Sequence, residues 1–464
     1  MTTFNNRVYG CAIIKSNNAN YNADFTKQPR TLPNGLVYAS DKALKYTVRH
    51  FIYKNYSWDL DSKYTSSDKL LYFTRNKVLS ESGQFVPMSL RELYVYLFGE
   101  IEKVTKGNSK TPKWMFFYFD GERVIGKLQK ISPASIKKYY ADLDDKPDYA
   151  NRIEEYAKNA NEKLKLIDGK IEGVELPIEE EPYFFYIKGE KEIVKINIDE
   201  TELENVISDL DIQFFGGYNK IKILYNLLNC IDVRLFGATY TGDTNVSIHG
   251  PVQINTGVDK FLYNGVIQNL SYTEQIKSPV RNDKAKGGEA EMTTIGSSSK
   301  TMEAHYVHNF SINPKNLDDH LSIANKLNES DEKDKFPKKD GLSIDDIDKL
   351  QNGLRCGATL YDSTSKAGVE NEMLIWIELN DKSMQVIPNL TELIIVYKGE
   401  DGKTVINLEK VKELLLDQKH IEAEIKEIKI FFNNIYARPL GINNEGKVRF
   451  LPIELSDNKE KNNE

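Results

Sequence analysis

The chain has little cysteine and no long run of apolar residues. Its three cysteines, Cys11, Cys230 and Cys356, lie far apart in apolar segments and without the spacing of zinc or redox motifs, so we expect buried, reduced thiols. No apolar stretch approaches the ~20 residues that cross a bilayer. The N-terminus also lacks the basic start and apolar core of a secretory signal. These absences predict a cytoplasmic protein without a membrane partner.

Motifs for nucleotide or metal chemistry are missing too. There is no G-x-x-x-x-G-K-[ST] and no G-x-G-x-x-G, so a phosphate cradle for a nucleotide is not expected. His305 and His308 in "HYVHNF" would point to opposite faces of a strand, which favours packing roles over a shared metal. The pair Asp345 and Asp346 is typical of a helix start. We therefore predict neither a cofactor nor a metal.

The net charge of −7 is unevenly distributed along the chain. Residues 1–54 contain eight Lys or Arg side chains and two acids, whereas residues 142–211 contain 21 acids and nine bases. A basic region of this kind indicates a surface for a polyanion, because phosphates are held by clustered Lys and Arg. The acidic region is explained equally well by a solvated helical insertion, and both interpretations stay open.

Hydrophobic periodicity predicts a strand and then a helix at the start of the chain. "NRVYGCAIIK" has strand composition, and a polar loop follows it. "SDKALKYTVRHFIYKNY" predicts a helix that Ser40 caps, with an apolar stripe beside Lys42, Lys45 and Arg49. This basic helix face is either a ligand surface or simply a solvated face.

Alternating elements continue along the rest of the chain. The aromatic stretches "WMFFYF" and "PYFFYIKG" predict strands within a large insertion, and a helix over 218–229 is followed by a predicted strand over 232–238. We further predict strands in "HYVHNFSINP" and "NEMLIWIEL", helices in "GLSIDDIDKLQNGL" (capped by Ser343) and "NLEKVKELLLDQ", a hairpin around 399–402, and a closing strand in "EIKEIKIFFNN". The order is that of an α+β, ferredoxin-like fold.

The order of four motifs resembles the backbone subunit of type I CRISPR surveillance complexes, known as Cascade, and specifically its I-B branch. These motifs are "NNANYNADFTKQPRTLPNGLVYASDKALKYTVR", "DVRLFGA", "HGPVQI" and "HYVHNFSIN". The resemblance covers the first 55 residues and roughly residues 219–314, while the rest matches only in the order of its elements. It implies membership of the repeat-associated superfamily of RNA-binding proteins.

The resemblance implies a palm, an inserted lobe and a thumb. The ferredoxin-like (RRM-like) palm would comprise residues 1–56, 212–238 and 304–455, the inserted lobe residues 57–211, and the thumb, a projecting β-hairpin, residues 239–303. The Gly- and Ser-rich part of the thumb, residues 276–300, has the composition of a loop that becomes ordered on binding. The tail at 456–464 has the composition of a disordered segment.

The implied function is antiviral defence. Several copies of the chain would coat a guide crRNA independently of its sequence and present it for pairing with a target DNA strand, beside other Cascade subunits. Cations, amides and a helix start hold a phosphate backbone without reading bases. The residues that match the family's RNA-binding positions, or extend the same basic surface, are Asn20, Asn22, Lys27, Arg30, Ser40, Lys42, Lys45, Arg49, Arg281, Lys284 and Lys286.

Two other functions compete with this interpretation. In the related type III backbone subunits a loop aspartate in the region of Asp24 cuts bound RNA, and a carboxylate beside a phosphate can act as a general base. "NYNADF" resembles the type I loop more closely, so we predict that the chain is not an enzyme. A scaffold that binds no nucleic acid would leave the basic residues 1–54 unexplained.

Overall fold

The structure is a computed structural model, and it describes only part of the chain. The described residues are 2–62, 77–79, 85–98, 116–119, 124–128, 170–171, 174–175, 183–188, 192–196, 217–241, 245–278, 294–328 and 336–455. The chain is mixed α/β with several sheets. It divides into two compact units, one formed by Met1–Phe98 with Ile223–Glu464 and the other by Gly99–Lys222.

Strands make up the larger part of the described secondary structure. In chain order they are β1 (Val8–Ala19), β2 (Tyr38–Ala39), β3 (Lys77–Leu79), β4 (Phe85–Pro87), β5 (Phe116–Phe119), β6 (Val124–Leu128), β7 (Lys170–Ile171), β8 (Val174–Glu175), β9 (Tyr183–Lys188), β10 (Glu192–Ile196), β11 (Gly237–Thr241), β12 (Asn245–His249), β13 (Val252–Ile254), β14 (Gly257–Asp259), β15 (Phe261–Tyr263), β16 (Val266–Ile267), β17 (Ser271–Ser278), β18 (Thr294–Ile312), β19 (Val369–Leu379), β20 (Ile395–Lys398), β21 (Thr404–Asn407), β22 (Ile425–Phe432), β23 (Ala437–Leu440) and β24 (Val448–Pro452).

Helices connect these strands. In chain order the described α-helices are α1 (Asp41–Ser62), α2 (Leu90–Phe98), α3 (Gly217–Leu227), α4 (Ile231–Phe236), α5 (Asp318–Asn325), α6 (Ile344–Cys356), α7 (Glu409–Leu415) and α8 (Lys419–Glu424), and short 3-10 turns span Pro314–Leu317 and Leu390–Leu393.

The central sheet has β1 in its interior. Its strand order is β2-β14-β18-β1-β19-β22-β24, and β13 and β17 also pair with β18. β1 is antiparallel to both of its neighbours, since Val8 lies opposite Ile312 on one side and Glu378 on the other. Therefore β18 and β19 run parallel to each other on either side of β1, and α6 lies between them in the chain.

The interior strands β1 and β19 of the central sheet are buried on both faces. One face, which includes Cys11 and Ile13 of β1, shares a core cluster with Val396 and Ile406 of a second sheet ordered β16-β15-β20-β21-β23. On the opposite side, α6 packs against β19 and against α1. Strands buried on both faces read as near-continuous apolar runs, which is why "GCAIIK" and "NEMLIWIEL" were recognisable.

Most of the predicted elements are confirmed. These are the first strand and helix, the two aromatic strands, the strand containing His305, the helix capped by Ser343, the hairpin at 399–402 and the strands and helices that surround it. β5 and β9 contain the aromatic stretches and pair with each other in a four-stranded sheet ordered β10-β9-β5-β6. The free thiols of Cys11 and Cys230 are buried, as expected, whereas the free Cys356 is only partly buried.

The predicted strand over 232–238 is wrong. These residues form the short helix α4, and strand structure begins at Gly237. Every residue of α4 except Arg234 is buried. A short apolar run that is buried on nearly all sides has no period by which a helix can be distinguished from a strand.

Arg234 fixes α4 against α6. Its Nε and Nη2 donate to the carboxylate of Asp346 at 3.1 and 2.8 Å, and its Nη1 donates to the carbonyl oxygens of Leu228 and Asn229 at 3.1 Å each. Asp346 in turn completes a capping box with Ser343 at the start of α6. The acid pair at 345–346 therefore lies at a helix start, as predicted.

The glycines of "LFGA" and "HGPVQI" have a packing role. Gly237 has a φ of 73°, and a Cβ there would lie 2.2 Å from the carbonyl oxygen of Ile248. A Cβ on Gly250 would lie 2.2 Å from the backbone of Phe236. The two glycines let the end of α4 and the end of β12 touch backbone to backbone, so these motifs mark a tight chain crossing.

Two further expectations need correction. The Gly- and Ser-rich residues 276–300 were expected to be a loop, but residues 276–278 end β17 and residues 294–300 begin β18. These two strands pair from Ser271↔Thr301 to Ser278↔Thr294, and residues 279–293 lie outside the described residues. A ladder of backbone hydrogen bonds tolerates small polar side chains, which composition alone does not reveal. In addition, β22 is not the closing strand, because β23 and β24 follow it. The tail at 456–464 lies outside the described residues.

Candidate nucleic-acid interface

The candidate interface lies at the end of β1. Ala19 ends the strand opposite Thr301, and the polar loop over 20–40 then leads into α1. Beyond this point residues 294–300 of β18 and strand β17 continue as a two-stranded ribbon. The turn at 363–368 lies at the same end, because Ser16 pairs with Val369 at the start of β19. The loop, the ribbon and the turn are thus brought together by strand register.

Asn20 is a buried anchor between the loop and the ribbon. Its Nδ2 donates to the carbonyl oxygens of Lys27 at 3.2 Å and Ser299 at 3.0 Å, and 4% of the residue is exposed. From the turn, Lys366 Nζ donates to the carbonyl oxygens of Tyr21 at 2.5 Å and Asn20 at 3.4 Å. Burial lowers the pKa of Lys366. These bonds fix the start of the loop.

Asp24 folds the tip of the loop. Its Oδ1 accepts hydrogen bonds from the backbone N–H of Thr26 at 2.8 Å, the hydroxyl of Thr26 at 2.7 Å and the backbone N–H of Gln28 at 3.0 Å. The Thr26 hydroxyl is the main reason that the pKa of Asp24 is lowered. Lys27, with a left-handed φ of 67°, completes the turn and is exposed. A nuclease would need the Asp24 carboxylate, but one of its oxygens already accepts hydrogen bonds from the loop itself.

Asn22, Arg30 and Ser40 lie where the loop closes and meets α1. Asn22 Oδ1 accepts a hydrogen bond from the backbone N–H of Ser40 at 2.9 Å, immediately before the helix. Arg30 Nε donates to the carbonyl oxygen of Ala23 at 3.2 Å, and the residue is half-buried. These side chains shape the loop and leave part of the Arg30 guanidinium at its surface.

The three cations of α1 have different surroundings. Lys42 is exposed. Lys45 pairs at 3.0 Å with the aspartate one turn earlier, and 15% of its side chain is exposed. Arg49 Nε lies 3.8 Å from Oδ2 of the buried Asp232, and its guanidinium lies 5.0 Å from the ring centre of Phe236. Of the three, Lys42 is therefore the best placed to meet a phosphate.

Three predicted cations lie outside the described residues. They are Arg281, Lys284 and Lys286, between the two strands of the ribbon in the sequence. Their assignment to RNA binding stays a prediction.

An aromatic cluster that was not predicted from the sequence lies one turn beyond Lys42. Tyr46 stacks on His50 with ring centres 6.2 Å apart, and Tyr361 meets His50 edge-on at 4.8 Å. A hydrogen bond with Tyr361 raises the pKa of Tyr46 to about 12. The i, i+4 spacing of Lys42, Tyr46 and His50 indicates from the sequence that these three residues share one face of α1. Nothing in the sequence places Tyr361, which follows α6, beside it.

His305 belongs to a buried charged network between the two sheets. Its Nδ1 lies 2.5 Å from Glu372 and its Nε2 lies 3.1 Å from Glu303, which pairs with Lys398 at 3.0 Å. Although burial opposes the charge, Glu372 and Glu303 raise the pKa of His305 to about 9. Burial opposes the charge of Glu303 as well, but hydrogen bonds with His305 and Lys398 lower its pKa to about 2.

His308 points to the other face of β18, as predicted. Its Nδ1 lies 3.0 Å from the carbonyl oxygen of Asn255, and burial lowers its pKa to about 4. Among the described residues, no cluster of three or more His, Cys, Asp or Glu side chains could hold a metal ion. In the same part of the chain, no helix combines the length and apolar character needed to cross a bilayer.

Comparison with known proteins gives one matching family, and the matching solved structures include two chains of CRISPR surveillance complexes. The family described as CRISPR-associated protein Cas7 matches residues 6–414. A chain of a "CRISPR RNA-guided surveillance complex, pre-nicking" is 11% identical, with a TM-score of 0.39 and coverage of 96% of this chain and 96% of that chain. A chain of a "CRISPR RNA-guided surveillance complex" is 11% identical, with a TM-score of 0.34 and coverage of 96% and 95%. No curated protein sequence matches the chain.

Proposed function

Because the chain belongs to the CRISPR-associated protein Cas7 family, we propose that it coats the guide RNA of a type I Cascade surveillance complex in several copies. The observation that carries this proposal is the extent of the family match, since residues 6–414 include the loop over 20–40, α1 and both strands of the ribbon. The RNA so held would be presented to a target DNA strand. Assignment to the I-B branch is part of the proposal.

The surroundings of the loop suit binding that does not depend on sequence. Lys27 and Lys42 are exposed, and Arg30 is half-buried at the loop surface. Point charges and guanidinium groups bind phosphates and carry no information about the bases. A guide-coating subunit needs this property because guides differ in sequence.

We assign the RRM-like palm to the central sheet. The path β18–α6–β19, with β1 between its two strands, is the split β-α-β arrangement of ferredoxin-like sheets. The inserted lobe proposed for residues 57–211 is supported by the separate compact unit Gly99–Lys222, although α2 groups with the other unit. We therefore begin the lobe after α2.

The proposed thumb is narrower than residues 239–303. β13 and β14 lie within that range, but they pair with β18 in the central sheet and so belong to the palm. The ribbon of β17 and residues 294–300 of β18 extends past the end of β1, as a projecting thumb requires. We assign the thumb to this ribbon and the residues between its strands.

We infer a structural, non-catalytic subunit, and Asp24 provides the test of that inference. Asp24→Asn keeps an oxygen that can accept the hydrogen bonds of the loop, so it removes the charge while preserving the fold of the loop. We expect neither the wild type nor Asp24→Asn to cut an RNA complementary to the guide. Cleavage at regular intervals by the wild type and not by Asp24→Asn would favour the type III function.

The proposed function is tested by the nucleic acid that purifies with the protein. The chain is expressed with the other Cascade subunits and a repeat array, and bound nucleic acid is extracted and sequenced. We expect small RNAs flanked by repeat sequence, with several copies of the chain per RNA. A monomer free of RNA under these conditions would contradict the proposal.

A further inference from the structure

Phe25 is fully exposed at the tip of the loop. Its exposure of 100% exceeds that of every other large apolar side chain in the part of the chain that the structure describes. Single exposed apolar residues are common on protein surfaces, so exposure alone indicates nothing. The backbone that carries Phe25, however, is held in place by several hydrogen bonds.

Those hydrogen bonds close the loop on both sides of the ring. The backbone N–H of Asp24 donates to the carbonyl oxygen of Gln28 at 2.8 Å, and that of Lys27 donates to the carbonyl oxygen of Asp24 at 3.2 Å. Ala23 and Pro29 form a bridge below them. Together with the bonds to the Asp24 carboxylate, they hold the backbone around Phe25 in one conformation before any ligand arrives. Because the backbone that carries the ring is already fixed, binding at Phe25 costs little further backbone entropy.

The charge around the ring favours nucleic acid as its ligand. Lys27, two residues away, is exposed and makes no ion pair with any described residue, and the Arg30 guanidinium lies at the base of the same loop. Gln28 Nε2 donates to the Thr273 hydroxyl at 3.4 Å, so the tip lies beside the ribbon. An aromatic ring on a surface that also carries cations is the usual platform for a single strand, because bases stack on the ring while cations hold the phosphates.

We propose that Phe25 stacks on an unpaired base of the bound single-stranded RNA. This inference rests on the proposed function. Stacking is tolerant of sequence because every base presents a flat aromatic face, so Phe25 adds affinity without selecting a guide. Phe25 and the cations would then contribute separately, the ring by stacking and the cations by releasing counterions.

The test compares Phe25→Ala with Phe25→Trp on a single-stranded RNA too short for two copies of the chain. We expect Phe25→Ala to weaken binding roughly tenfold at every salt concentration with an unchanged salt slope, and Phe25→Trp to retain affinity. The exposed tryptophan should lose fluorescence when RNA binds, measured against the wild type and its three native tryptophans. Met384→Ala is the control, because Met384 is 85% exposed and follows β19 at the opposite end of the central sheet.

Each result supports or overturns the inference. Equal affinity of Phe25→Ala and the wild type, or unchanged tryptophan fluorescence in Phe25→Trp, would overturn it. If Phe25→Ala binds the short RNA normally but fails to assemble on a long one, the ring docks on a neighbouring copy and base stacking is wrong. Failure of the wild type to bind single-stranded RNA would overturn both this inference and the proposed function.

Discussion

Lys42 and Arg49 lie on the same helix, yet their charges have different surroundings. Lys42 is exposed, whereas the guanidinium of Arg49 lies near both the ring of Phe236 and the buried carboxylate of Asp232. The sequence shows that a cation is present but not which partner it meets in the fold. The two residues should therefore respond differently to the same substitution.

Lys42→Ala should weaken RNA binding by a similar factor for all guide sequences. Loss of one phosphate contact lowers the slope of log affinity against log salt by roughly 0.7 for a single strand. The slope is measured by filter binding at several salt concentrations, with Lys410→Ala as a control because Lys410 is exposed on the distant helix α7. Losses that depend on guide sequence would contradict a phosphate contact.

Arg49→Ala should instead lower the stability of the free protein. Removing the guanidinium leaves Asp232, which is 2% exposed, with less compensation for its buried charge, at a cost of about 1–3 kcal/mol. Thermal unfolding measures this loss, and Asp232→Asn in the same background should recover part of it. If Arg49→Ala leaves the melting temperature unchanged but weakens RNA binding, Arg49 contacts RNA, as the sequence predicted.

The network around His305 predicts a specific pH dependence of stability. Because the pKa of His305 is raised to about 9, its protonation stabilises the fold fully below its ordinary value of 6.5, and this stabilisation is lost as pH rises through 9. Glu303 has the opposite pH dependence, because its pKa is lowered: the stability that its charge contributes is lost only as pH falls through about 2. Burial raises the pKa of the neighbouring Asp259 to about 6. Asp259 is therefore already ionised over the pH range in which His305 loses its proton.

The matched comparison for this network is wild type against His305→Gln. Between pH 6.5 and 9 the melting temperature of the wild type should fall toward that of the variant, because only the wild type loses a proton from this position. Glu372, Glu303, Lys398 and Asp259 are unchanged in both proteins. A constant difference across this range would show that His305 is neutral in the fold.

Helices α1 and α6 approach each other closely at a glycine. A Cβ on Gly353 would lie 2.8 Å from Cγ1 of Val48, inside van der Waals contact. Since α1 follows the loop over 20–40 and α6 packs on β19, this crossing joins the candidate interface to the central sheet. The small residue is therefore needed for packing, even though glycine weakens a helix interior.

Gly353→Leu should destabilise the protein by about 1–3 kcal/mol, because extra atoms in a close helix crossing force backbone shifts. The melting temperature is the measurement, and Gln351→Leu on the half-exposed side of the same helix serves as the control. Equal melting temperatures for the two variants would mean that the crossing relaxes without cost.

Elements with a complete local signal were predictable from the sequence. β1, α1 and α6 combine a clear apolar pattern with turn or cap residues, and Ser343 forms the expected capping box. α4 was missed because its burial on nearly all sides removes the periodic signal. At the candidate interface the loop was predictable, but the burial of Asn20, the ion pair of Arg49 and the position of Tyr361 depend on segments distant in sequence.

The two ends of the central sheet differ in character. At one end, where β1 begins, Glu378 is buried and bonded to Asn6 and Lys426. At the other end lie the loop tip, exposed Lys27 and Lys42, and the two-stranded ribbon. Subunits that coat a strand in series must join one surface to a different surface of the next copy, so a molecule with unlike ends suits such an assembly.

Shortening the ribbon that we assign to the thumb should separate folding from assembly. Ser278 and Thr294 face each other at the end of the ribbon, so residues 279–293 can be replaced by the two-residue turn Asn-Gly. The bond between Asn20 and Ser299 is kept, whereas removal of residues 277–300 would destroy it. We expect the melting temperature to stay unchanged and cooperative assembly on a long RNA, with its periodic footprint, to be lost.

The same variant also tests the three undescribed cations. It removes Arg281, Lys284 and Lys286, so contacts of these residues with phosphates would appear as a smaller salt slope on an RNA that holds one copy. If the salt slope is unchanged while assembly fails, the segment contacts the neighbouring copy. Arg281, Lys284 and Lys286 are then not RNA-binding residues. If assembly and footprint are both intact, the ribbon is not a thumb. A lowered melting temperature would place residues 279–293 in the folded core, because only a segment packed in that core can stabilise the free chain.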